Sequence, residues 1–103
     1  MTDNATLKAE FDRDLRRGIL EKEYEVGLSS SRTRQMIEQH GGVKTAHLLL
    51  HPDRELPPDT FGYLRRLRRL DLTVEFYVLM EKYRPLFSDQ QREIARWRLD
   101  YED

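Results

Sequence analysis

The chain has 103 residues, no cysteine, and 36% charged side chains that nearly cancel to a net charge of -1 at pH 7. Without a thiol there is no disulfide, no thiolate nucleophile and no cysteine-ligated zinc, and a near-neutral balance gives no overall pull toward a polyanion. The length suits one domain around one core; the mixed, polar N-terminus and the lack of a long apolar run predict neither a standard secretory leader nor a membrane span, so a cytoplasmic location is expected.

Residues 6–25 read as a first helix, because Leu7, Phe11, Leu15 and Ile19 recur every four positions and form an apolar stripe. Gly18 sits inside that pattern at a cost of about 1 kcal/mol against alanine, which makes it the point where the helix can kink or break. Glu10, Asp12, Arg13, Asp14, Arg16 and Arg17, then Glu21, Lys22, Glu23 and Glu25, are assigned to a solvated face. Gly27 is placed to stop the helix, and Ser29, Ser30 and Ser31 offer N-caps for a second one over about 31–39 that buries Met36 and Ile37.

After Gly41-Gly42 a third, short and largely buried helix runs from Val43 to Leu50 and stops at Pro52. Lys44, His47 and His51 share its one polar strip, with leucines over most of the rest. Three prolines within residues 52–58 mark a stiff linker between helices one to three and helices four to six.

Asp59 or Thr60 caps a fourth helix over about 60–69. Tyr63, Leu64, Leu67 and Leu70 fall on one side of it and Arg65, Arg66, Arg68 and Arg69 on the other. Asp71 or Thr73 starts a fifth, and from Val74 to Tyr83 only Glu75, Glu81 and Lys82 are charged, the pattern of a central helix. Pro85 ends it. Ser88 and Gln91 form a capping-box signature for a last helix, about 89–101, expected to bury Ile94, Ala95, Trp97, Leu99 and Tyr101. Arg98 lies in the middle of that apolar arc, so it must pair, with Asp71 or Glu75 as the expected partner. No segment alternates like a half-buried strand. The expected fold is all-α: a compact single-domain bundle of five or six short helices around residues 74–83.

Chemistry is harder to find. His47 and His51 have the four-residue spacing of a metal pair on one helix face, with Asp53 and His40 near. Lys44 on the same strip repels a cation, and Pro52 pulls His51 out of helical backbone; they read as surface histidines, and no metal or cofactor is expected. The helices flanking Gly41-Gly42 have the length of a helix-turn-helix, but the second offers leucines where a DNA reader needs polar side chains. Ser29 to Ser31 lack a nucleophile-elbow context, no glycine-rich phosphate loop occurs, and no isolated carboxylate pair stands out, so no catalytic residue is assigned.

The unusual feature is the fan Arg65, Arg66, Arg68 and Arg69. Residues 61–87 hold six basic and three acidic side chains, six minus three or +3, in a chain of net -1. Such a face either pairs with Glu21, Glu23 and Glu25, or solvates the fold, or takes an acidic protein or phosphates. The expected function is a non-enzymatic interaction or regulatory module that binds an acidic partner through these four arginines, with Arg13, Arg16 and Arg17 as further candidates. The alternative is a nucleic-acid accessory protein using the same face; a histidine-centred metal site or enzyme ranks third.

His40-Gly41-Gly42-Val43-Lys44-Thr45-Ala46, Phe61-Gly62-Tyr63-Leu64, Arg69-Leu70-Asp71-Leu72-Thr73-Val74-Glu75, Leu86-Phe87-Ser88 and Ala95-Arg96 together resemble a recurring, uncharacterised bacterial helical domain. The likeness covers about residues 20–101 and is most specific over Arg69 to Glu75. It implies one compact helical unit and brings no catalytic residue with it.

Overall fold

The computed structural model describes residues 3–27, 30–51 and 59–100, the last segment with side chains from residue 62 onward. In chain order it places α1 (Asn4–Glu21), a π-helical turn (Lys22–Val26), α2 (Ser31–His40), α3 (Gly42–Leu49), α4 (Asp59–Arg66), a 3-10 turn (Leu70–Leu72), α5 (Val74–Val78), a second 3-10 stretch (Glu81–Leu86) and α6 (Asp89–Asp100). There is no strand among the described residues, and the expected all-α bundle is the fold observed. No described helix is long and apolar enough to cross a membrane. The proline-rich linker about 52–58, the choice between Asp59 and Thr60 as a cap, Ser29 and Tyr101 lie outside the described residues or side chains.

The helix ends come from local chemistry. Asp3 caps α1 by accepting the Thr6 amide at 2.8 Å. Thr73 caps α5: its Oγ1 accepts from the Phe76 amide at 3.2 Å and donates to Leu70 O at 2.7 Å. The capping box at α6 closes in both directions, Gln91 N–H to Ser88 Oγ at 3.1 Å and Ser88 N–H to Gln91 Oε1 at 2.9 Å. At α3 the cap comes from another helix. The Gly42 amide donates to Asp12 Oδ1 of α1 at 2.8 Å, and a Cβ on Gly42 would stand 2.9 Å from Asp12 Cα, so only glycine lets α3 start this close to α1.

Gly18 does not break α1. It is buried, and the space where its side chain would be is filled by Tyr77, whose Cε2 would lie 2.8 Å from a Cβ there. The helix widens into the π-helical turn only after Glu21 and stops at Gly27, as expected.

One cluster of buried side chains draws on both sides of residues 52–58: Leu7, Phe11, Leu15 and Ile19 from α1, Ile37, Ala46 and Leu50 from the α2–α3 pair, and Val78, Tyr83, Leu86, Phe87 and Ala95 from the second half. Phe11 is its centre, with the rings of Tyr83 and Phe87 edge-on to it, each at 5.1 Å. Burying a side chain of this size stabilises by about 1.5–3 kcal/mol.

The run from Val74 to Tyr83 contributes buried Val78 and Tyr83 to that core but is not one helix. Leu79 N–H is shared between Glu75 O and Phe76 O, Met80 N–H bonds to Tyr77 O, and Met80 is extended at φ -62, ψ 132. Pro85 accounts for the winding beyond Met80. In an α-helix it would lose its bond to Glu81 O and its ring would strike that carbonyl, so Glu81–Leu86 winds as 3-10 instead. The element that the others lean on is α1, which packs against α2, α3, α5 and both 3-10 segments.

Three burial expectations are corrected. On α4 only Leu64 of the apolar side is buried, while Tyr63 and Leu67 are exposed. On α6 Trp97 is 45% exposed, and the buried face is Arg92, Ala95 and Arg98. On α3 that face is Gly42, Thr45 and Ala46, and Leu48 is exposed. On α3 and α6 the buried face takes in Gly42, Thr45 and Arg92 from outside the apolar arc, so it is turned away from where hydropathy alone places it.

Candidate functional site

The four arginines expected to form one face are divided by the way α4 ends. Arg68 N–H bonds to Arg65 O at 3.0 Å and Arg69 N–H to Leu64 O at 2.8 Å, with Arg68 itself in the left-handed region at φ 57. This pair of bonds is the Schellman arrangement, and Arg68 holds the position usually given to glycine. The reversal turns the chain at Arg69 away from the helix direction.

Arg69 therefore meets the acidic end of α1. Its Nη1 is 2.8 Å from Glu25 Oε2, its Nη2 3.8 Å from Glu21 Oε2, and its Nε 3.2 Å from Asp71 Oδ1. Hydrogen bonds to Glu25 and Asp71 raise the guanidinium pKa further above its ordinary value. Glu23, the third glutamate expected in this role, pairs with Arg34 instead, at 3.5 Å.

Arg65 turns toward α6. Its Nη1 donates to Leu99 O at 2.8 Å and its Nη2 to Arg98 O at 3.5 Å, so it satisfies carbonyls that the last turn of that helix leaves without amides and sits at the negative end of its dipole.

Arg66 and Arg68 are exposed, and neither has an ion-pair partner among the described residues. Beside them are Tyr63, 41% exposed, and Leu67, 46% exposed. Tyr63, Arg66 and Leu67 are spaced three and four apart, so they share one helix side. The arrangement is a small outward surface of two guanidiniums and two apolar groups, held in place by Arg65 and Arg69. The further arginines of α1 are partly engaged: Arg16 pairs with Asp12 at 2.7 Å and Arg17 with Asp14 at 3.2 Å.

Two buried polar groups brace the bundle. Arg98, 2% exposed, donates from Nη1 to Glu75 Oε2 at 3.0 Å and to Leu49 O at 2.7 Å, which joins α6 to α5 and α3. The expected pairing of Arg98 is thus observed, with Glu75 as the partner. Asp14, expected on the solvated face, is 5% exposed and stands in the core instead. It accepts from the Tyr83 hydroxyl and lies 3.4 Å from Lys82 Nζ. Burial alone would raise its pKa, but the Tyr83 hydrogen bond, Lys82 and Arg17 together outweigh burial and hold it below the usual carboxylate range. A signal for this burial exists in the sequence: Asp14 is seven residues after Leu7 and three after Phe11, on the apolar stripe itself.

The histidines build no metal site among the described residues. His47 Nε2 is 3.0 Å from Leu86 O, which can only accept, so that nitrogen carries the proton; the ring stands edge-on to Phe87 at 5.3 Å. Among the described residues no group of three histidines or carboxylates could hold a metal ion. The chain has no significant match among protein-family models, curated proteins or solved structures.

Proposed function

We propose that the chain is a non-enzymatic interaction module that takes an acidic protein partner on the outer side of α4. The observation that supports this is the pair Arg66 and Arg68, exposed without ion-pair partners among the described residues and set beside exposed Tyr63 and Leu67. Arginine and tyrosine are the side chains that most often anchor protein interfaces, and a leucine beside them adds apolar area that a phosphate backbone would not cover. Of the four arginines in the proposed face, Arg66 and Arg68 contact the partner, and Arg65 and Arg69 keep α4 in place.

The test is a comparison of two double variants of the full chain. R66E/R68E is expected to release a partner captured by the unaltered protein while the chain stays folded. R65A/R69A is expected to lower the melting temperature by several degrees. Retention of the partner by R66E/R68E would exclude this face. If the unaltered chain instead shifts duplex or single-stranded nucleic acid at low salt, and the same double variant abolishes that shift, the partner is a phosphate backbone and the protein reading fails.

A further inference from the structure

A second surface carries charge that the α4 reading leaves unused. The first half of α1, the α2–α3 corner and the turn at Pro85–Leu86 enclose an open cleft of about 750 Å³. Lys8 from α1, His40 from the end of α2, and Lys44 and His47 from α3 line it. Asp12 is the one carboxylate among its described lining residues. That carboxylate is already engaged on both oxygens: Oδ1 accepts from the Gly42 amide at 2.8 Å and Oδ2 from Arg16 Nε at 2.7 Å. Lys8 and Lys44 are both exposed, with no ion-pair partner among the described residues.

The cleft thus presents two ammonium groups against a carboxylate whose charge is offset within the protein, with His40 and His47 in its lining. Because Asp12 occupies the Gly42 amide, this positive character comes from the lysines of α1 and α3 rather than from the helix terminus. Val43 and Leu86 add apolar wall. The volume is within the range of small-molecule sites, roughly 300–1,000 Å³. We infer that this cleft binds a small organic anion, a compound with an apolar body and a phosphate or polycarboxylate group placed between Lys8 and Lys44. The polar strip of Lys44 and His47, which suits a cation poorly, suits an anion for the same reason: its fixed charge is positive.

The experiment is a titration of the isotope-labelled full chain, followed by amide shifts, with phenyl phosphate and separately with phthalate, a dicarboxylate on the same aromatic body, at constant ionic strength. Saturable shifts at Gly41, Gly42, Val43 and Lys44 with either compound are expected, and the compound that saturates identifies the anionic group. K8A/K44A should weaken that binding by roughly tenfold or more, since two charge-assisted contacts are lost. R66A/R68A should leave it unchanged, which separates this site from the α4 surface. No saturable shift with either compound, or equal shifts in K8A/K44A, would overturn the inference, as would loss of the shifts in R66A/R68A.

Discussion

Arg68 holds a backbone conformation that costs a side chain about 1–2 kcal/mol and glycine almost nothing. Arg68→Gly is therefore expected to stabilise the chain by about 1 kcal/mol in a denaturant melt, while weakening capture of an acidic partner. A variant that is both less stable and fully binding would reverse the roles given to this residue. Its neighbours show that residue type alone does not decide a side chain's use. Arg65, Arg66, Arg68 and Arg69 look alike on a helical wheel, yet one caps a helix, one is clasped by three carboxylates and two face outward. The Schellman reversal that separates them depends on where α4 stops. Arg98 was legible because a lone charge inside an apolar arc has to pair. Asp14 was not, because it stands among charged neighbours that are solvated, although its position on the stripe marks it as buried.

Among the elements, α1 depends on Gly18 for its packing rather than for any bend. Alanine there would gain about 1 kcal/mol of helix propensity, but its Cβ would press on the Tyr77 ring, with Cε2 at 2.8 Å and Cζ at 2.9 Å. Overpacking of this kind costs about 1–3 kcal/mol, so Gly18→Ala is expected to lower the melting temperature on balance. Tyr77→Leu in the same chain should recover part of the loss; a simple rise in stability for Gly18→Ala would show that Tyr77 moves freely. The caps at Thr73 and Ser88 were readable because they act within three residues. The division of 74–83 was not. Apolar content specifies that a segment is buried, but the tightening at Leu79 and Met80 and the 3-10 winding before Pro85 depend on hydrogen-bond geometry that hydropathy does not encode.

Across the whole molecule, the contact between Asp14 and Tyr83 joins residues 69 positions apart and ties α1 to the Glu81–Leu86 segment. It also makes stability depend on pH. The folded Asp14 pKa is lowered, so its ionised form favours the folded state above the unfolded value of about 3.9, and that contribution is lost as pH falls through about 4 and below. Tyr83 moves the other way, its hydroxyl held protonated above its ordinary range by burial and by the Asp14 carboxylate. Asp14→Asn should be less stable at pH 7 and should lose less stability than the unaltered chain between pH 5 and pH 2, measured by denaturant melts across that interval. Parallel curves for the two proteins would show that Asp14 does not carry the acid response.

Apolar period and capping side chains were enough for the all-helical structure, for the helix ends at Thr73, Ser88 and Gly27, and for the need of Arg98 for a carboxylate. The tertiary structure alone decided which element the others pack on, which arginines the bundle engages, that Asp14 meets Tyr83, and that Lys8, Lys44 and two histidines line one cleft. Those outcomes depend on which short helices meet and along which face. Side chains brought together from 30 to 70 residues apart leave no periodic trace in the chain.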